Sequence, residues 1–303
     1  MHQPCAHKYV EYWGPDGWHC VDCSGKLSPE TDSERITQEQ DMMESLYDEI
    51  PEGLTQGKMS QLRGVSIQFL FEFTDLHECW NKSTRSVRRE IVMTETADSR
   101  CRYAELPHMK ECGRTGPATT FVSHAWDGLW GELVHAISEG SYDKARFVWV
   151  DIFAIRQWPS RVGDLDFGST IENCQSFLMF CPPIPEISKT VHINAKKLPK
   201  TVRNKVPLFR IWCNVEVHAA VNMQEKIGMP VVIRCGNFNG TKFETDYKML
   251  EKLTLMVCNV LDSDATNPQD IADKLLEIKN KVGVDSFNHV VRSAITGAAI
   301  ASR

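Results

Sequence analysis

The stretch Thr120-Phe-Val-Ser-His-Ala-Trp-Asp127 and the residues after it constrain the fold more than any other part of the chain. Thr120, Phe121 and Val122 are apolar or β-prone, a polar turn follows, and Trp130, Leu133, Val134 and Ile137 then recur at helical spacing. This is a buried strand feeding a helix. The same alternation returns downstream: a near-continuous apolar run at Arg146–Phe153, another at Phe177–Cys181 closed by Pro182 and Pro183, and a fourth at Pro230–Arg234. Between the last two, Trp212, Val215 and Ala219 share one helical face of the segment 209–220. Strands alternating with helices predict an α/β fold with a parallel sheet, right-handed crossovers and helices on both faces. In such sheets ligands bind beyond the carboxyl ends of the strands, which draws attention to Ser123, His124, Trp126 and Asp127. Asp151 interrupts the apolar run at Arg146–Phe153 and must there be paired, solvent-reaching or functional.

The flanking regions divide the chain. Residues 1–25 hold Cys5-x-His7, a gap of twelve residues, and Cys20-x-x-Cys23. Two close ligand pairs so spaced can close a tetrahedron around Zn²⁺, so a structural zinc segment is expected there; the plainer reading is a set of free surface thiols. Residues 26–60 are acidic and poor in apolar side chains and read as a linker. Residues 61–117 open with a dense apolar segment through Ile67, Phe69, Leu70, Phe71 and Phe73, expected to pack on the α/β domain at 118–262. Two helices are expected in 263–303, the first capped by Asn267 with Pro268 at its first position and ended by Gly283. A helix start is also expected at Ser169, with Glu172 completing a capping box. Residues 249–260 fit either strand or helix.

Composition excludes more than it specifies. The formal charge of the 303 residues is −6, with Lys and Arg spread along the chain, so nothing global favours nucleic acid. No apolar run approaches the ~18 residues of a membrane span, and the start of the chain lacks a secretory pattern. Of eleven cysteines, five (Cys174, Cys181, Cys213, Cys235 and Cys258) sit inside apolar segments, which suits reduced thiols in a cytoplasmic protein.

Taken together, these pieces resemble a Toll/interleukin-1 receptor (TIR) domain over roughly residues 118–262. Phe121-Val-Ser-His-Ala-Trp126 is similar to the first strand of that family and its polar exit. The strand at Asp151, the loop to Gly168 and Ser169-Thr-Ile-Glu-Asn-Cys174 resemble its second strand, BB loop and next helix. Arg210-Ile-Trp-Cys-Asn-Val-Glu216-Val is similar to the Trp-Cys-x-x-Glu helix of plant-type members. Ser-His-Ala-Trp and Trp149-Val-Asp-Ile-Phe-Ala-Ile-Arg-Gln157 also resemble the fungal heterokaryon-incompatibility (HET) domain. His124-Ala-Trp126 departs from the basic or aromatic residues usual after the first strand, and the insertion at 182–209 is long.

The resemblance implies a flavodoxin-like sheet and, in catalytically active members, cleavage of the nicotinamide–ribose bond of NAD. Glu216 is then the catalytic carboxylate that stabilises the developing oxocarbenium charge, with Ser123, His124, Trp126, Asp151, Arg156 and Trp212 around the ligand. One carboxylate suffices, because nicotinamide leaves a cationic ring as a neutral base and needs no general acid, unlike ordinary glycosides. Self-association or binding of other proteins through this domain is also implied. The alternative is a non-enzymatic interaction or scaffold module. The plainer reading of Glu216 itself is a helix-edge carboxylate paired with Arg210 or His218. Other nucleophile pairs are weaker: Ser123 and His124 alternate to opposite sides of a strand, and Cys213 and His218 lie off one helical face.

Overall fold

The computed structural model describes residues 13–14, 17–18, 50–141, 143–158, 162–184, 197–255 and 259–301. Two compact units are present, residues 1–49 and 50–303. In the first, β1 (Trp13–Gly14) and β2 (Gly17–Trp18) form a small antiparallel hairpin with Trp13 opposite Trp18. Cys5, His7, Cys20 and Cys23, the expected zinc ligands, lie outside the described residues. Among the described residues no group of three or more His, Cys, Asp or Glu is placed to hold a metal ion.

The second unit is an α/β domain built on a seven-stranded mixed sheet. Its strands are β3 (Gly64–Ser66), β4 (Thr115–Gly116), β5 (Thr120–His124), β6 (Phe147–Val150), β7 (Ser176–Cys181), β8 (Val231–Phe238) and β9 (Phe243–Thr245), in spatial order β4-β3-β6-β5-β7-β8-β9. The four central strands β6, β5, β7 and β8 are parallel; β4, β3 and β9 join antiparallel at the two sides. The expectation of a purely parallel sheet is therefore corrected. Segment 61–117 does not only pack on the domain but supplies β3 and β4 to its sheet. Those strands span three and two residues, too short for an alternating pattern to register.

Side-chain alternation divides the core into two clusters, one on each face of the sheet. Phe121, Trp149, Phe177 and Met179 point to one cluster, with residues of helices α4 (Phe167–Glu172), α5 (Ile211–Ile227), α6 (Tyr247–Leu255), α7 (Pro268–Lys281) and α8 (Val284–Ala301). Val122, Val148, Val150, Leu178 and Phe180 point to the other, with α2 (Ile67–Leu76) and α3 (Trp130–Ser138). A further short helix, α1 (Gln56–Gln61), lies within the stretch read as linker and is fastened by Gln61, which donates to the Ala118 carbonyl at 2.6 Å. Among the described residues no helix is long and apolar enough to cross a membrane.

Three local expectations change. β6 ends at Val150, and Asp151 opens a helical turn (Asp151–Ala154) at the strand's carboxyl end instead of interrupting the strand. The cap of α4 is Asp166, whose carboxylate accepts from the Ser169 backbone and hydroxyl, so Ser169 sits inside the helix. The ambiguous stretch at 249–260 is helical as far as Leu255, in α6. Asn267 does cap α7, accepting from the Gln269 N–H at 3.1 Å, and Gly283 follows that helix with φ of +84°.

Candidate active site

Five of the residues singled out in the sequence come together at the carboxyl end of β5. Ser123 and His124 are its last two residues and point to opposite sides. On one side the Ser123 hydroxyl donates to Glu216 Oε2 at 2.5 Å. Glu216 reaches it from the buried face of α5, which it shares with Cys213, Val217 and Ala220. Both partners are almost sealed, with Ser123 1% and Glu216 7% exposed.

Burial raises the Glu216 carboxyl from its ordinary 4.5 to about 8; the Ser123 hydrogen bond opposes that rise and the charge of Asp151 adds to it. Glu216 is thus a neutral carboxylic acid at pH 7, as expected when the charged form loses its hydration and gains no cation. The two cations considered as its partners are engaged elsewhere. Arg210 donates to Thr266 Oγ1 at 3.0 Å, and His218 stacks on Phe287 with ring centroids 4.6 Å apart. One turn before Glu216, the Cys213 thiol donates to the His124 carbonyl at 3.4 Å and is held far above its ordinary value, first by burial and then by Glu216. A buried neutral thiol of this kind is inert.

On the other side stands His124, whose side chain is 2% exposed. Its Nε2 faces Asp151 Oδ1 across 3.8 Å, and neither atom has a hydrogen-bond partner among the described residues. Asp151 is oriented by Trp126, whose indole N–H donates to its other oxygen, Oδ2, at 2.7 Å. The Gln157 side-chain amide donates to the Asp151 backbone carbonyl at 3.1 Å. Burial lowers the His124 pKa, and the Asp151 charge offsets part of that. The imidazole is neutral at pH 7.

Two arginines that the sequence reading passed over complete the rim. Arg88 lies over the Trp126 ring at 5.0 Å and Arg85 at 5.9 Å, distances at which a guanidinium is attracted to the aromatic face. Arg85 also bridges to Asp127 at 2.5 Å, and Arg88 donates to Gln157 Oε1 at 2.7 Å. They project from a helical turn, Thr84–Val87, that widens into the π-helical residues Arg88–Val92, a local geometry frequent at functional sites. Nothing in their immediate sequence marks them, since the link to Trp126 spans about forty residues of chain.

The other two expected site residues are used differently. The indole of Trp212 turns toward α7, donating to Asp270 Oδ2 at 2.8 Å under Lys274 at 4.8 Å, and so fastens that helix to α5. Arg156 is buried, and its backbone N–H donates to Asp164 Oδ2 at 2.8 Å.

What remains is a compact polar group: a neutral acid, a neutral imidazole, a carboxylate and a hydroxyl, with an indole and two guanidinium groups outside it. It can stabilise a positive charge and accept a proton. Comparison with protein-family models, with curated proteins and with solved structures finds no significant match to this chain.

Proposed function

We propose that the second unit is a flavodoxin-like, TIR-like domain whose site at the end of β5 cleaves the nicotinamide–ribose bond of NAD with Glu216. The observation that carries this reading is a carboxylic acid with no paired cation among the described residues, bonded to Ser123 beside His124, Asp151 and Trp126. The central strands in the order β6-β5-β7-β8 support it, because the order reverses between β5 and β7, and ligands of doubly wound sheets sit at that reversal.

A neutral Glu216 suits a cationic substrate. At pH 7 an acid with a pKa of about 8 is one unit from ionising, a difference of about 1.4 kcal/mol. A pyridinium ribosyl group entering beside it supplies the opposite charge that favours the carboxylate. The carboxylate then stabilises the oxocarbenium charge that develops as nicotinamide departs with the bonding electron pair. Trp126 offers a face for an aromatic ring, and Arg85 and Arg88 lie where phosphate oxygens would compete for them. Ser123, His124 and Glu216 are buried, so this reading requires the rim to open, coupled to self-association or to the ligand itself.

The test is nicotinamide release from NAD by the full-length protein over a range of protein concentrations. Glu216→Ala is expected to lower turnover by about 10²–10³-fold, the usual loss for one transition-state contact. Equal turnover in the two proteins would remove Glu216 from the reaction. A second reading is favoured by the same burial: the domain is an interaction module, and the Glu216–Ser123 bond only joins α5 to β5. Absence of turnover at every concentration would leave this one standing.

For the first unit we propose a structural zinc held by Cys5, His7, Cys20 and Cys23. The hairpin of Trp13–Gly14 with Gly17–Trp18 lies between the two ligand pairs, as a metal-closed loop requires. One zinc per chain by atomic absorption is expected, and none in Cys20→Ser; a metal-free wild type would refute the assignment.

A further inference from the structure

The geometry points to His124, which faces Asp151, as the base that takes the proton from the attacking nucleophile. This rests on the proposed NAD cleavage and adds the group that completes it. His124 Nε2 and Asp151 Oδ1 face each other across 3.8 Å with no other partner among the described residues. Unpaired polar atoms in an interior are costly, and two acceptors that point at one another are satisfied together by a single water, which has two hydrogens to give. A water donating one hydrogen to Nε2 and the other to Oδ1 meets both needs, since buried waters are held by two to four such groups.

The orientation of the pair is built in. Trp126 occupies Oδ2 of Asp151, which leaves Oδ1 for the imidazole side. The backbone of His124 is itself tied, its carbonyl accepting from Cys213. The imidazole is uncharged and offers a lone pair, and Asp151 stabilises the imidazolium that forms. Ser123 and His124, pointing to opposite sides of the end of β5, put the charge-stabilising acid and the base on two sides of one strand end.

The step balances without any further reagent. The C1′–N bond breaks and its electron pair leaves with neutral nicotinamide. The water oxygen bonds to C1′, and the water proton moves to His124 Nε2 and from there to solvent, giving ADP-ribose. An anionic nucleophile has no proton to lose, so it needs no base. Azide therefore separates a chemical role from a structural one.

The experiment measures nicotinamide release from NAD by full-length wild type, His124→Gln and Asp151→Asn, each with and without sodium azide. His124→Gln is expected to lose about 10²–10⁴-fold in turnover. Azide should restore most of it, with ribosyl azide as the product, while leaving wild type little changed. Asp151→Asn keeps the imidazole and should show a smaller loss that azide also repairs, which covers the case where His124→Gln fails to fold. Azide failing to rescue either variant beside an active wild type overturns the assignment of the base. A wild type no faster than Glu216→Ala overturns the NAD reading, and this proposal falls with it.

Discussion

Asp164→Ala is expected to destabilise the second unit by about 3–5 kcal/mol, the cost of breaking a buried ion pair from one side. Asp164 is 2% exposed and is gripped by Arg102 through Nε at 2.9 and 3.0 Å and Nη2 at 2.5 Å. Arg63 Nη1 stands 3.7 Å away, and the Arg156 N–H donates to the same carboxylate. Glu105 accepts from both Arg63 and Arg102, so two carboxylates serve this cluster. Removing one of them leaves buried guanidinium charge with one carboxylate fewer to balance it, which is costly where exposure is this low. Asp164→Asn keeps one of the two oxygen acceptors in place and should lose less. Urea unfolding followed by circular dichroism checks both, and an Asp164→Ala midpoint equal to that of wild type would contradict the account. The consequence reaches the site, because the loop that Asp164 anchors begins at Asp151 and Gln157.

Glu216→Gln is expected to change how stability depends on pH between about 4.5 and about 8. Burial raises the folded-state carboxyl to about 8, whereas in the unfolded chain it returns to its ordinary 4.5. Between those values the folded protein holds a proton that the unfolded chain has released. Stability is therefore fully present at and below the unfolded value. It falls by up to about 1.4 kcal/mol per pH unit as pH rises toward 8, then levels off. Glutamine has no proton to lose and still offers an oxygen to Ser123. The variant should match wild type near pH 4.5 and exceed it by a few kcal/mol at pH 8. His124 has the opposite sign: its folded pKa is lowered, so its contribution is lost as pH falls below the unfolded histidine value. That term is common to both proteins and cancels in their difference. Parallel stability curves for the two would show that Glu216 is not a buried neutral acid.

The central strands and helices were legible because each is long enough to show its period. Phe121 and Val122 mark β5, Phe177–Cys181 marks β7, and the face of Trp212, Val215 and Ala219 marks α5. The same periods brought Ser123, His124, Asp151 and Glu216 to one end of the sheet, since strand ends and the crossover helix converge there. What escaped was set by contacts between distant parts of the chain. The strand Gly64–Ser66 exists because β6 offers it an edge, and Thr115–Gly116 because Gly64–Ser66 in turn offers it one, not because of their own propensities. Arg85 and Arg88 meet Trp126, and Arg102 meets Asp164, only in the folded state. The resemblance of the Trp-Cys-x-x-Glu motif implies a place beside the ligand for Trp212. A helix has several faces, and Asp270 and Lys274 on α7 claim that indole. Asp151 looked like a charge inside a strand, but the strand stops one residue earlier, which lets the carboxylate reach the sheet's end.

Every functional step assigned to this chain depends on Glu216 resting as a protonated acid against Ser123, ready to ionise when positive charge arrives. Infrared difference spectroscopy of wild type against Glu216→Gln reads this directly through the stretching band of a protonated carboxyl group. A band present at pH 7 in wild type, absent from the variant, and lost with a midpoint near 8 is the expected result. A Glu216 carboxylate already ionised at pH 5, an ordinary acid's behaviour, would contradict it.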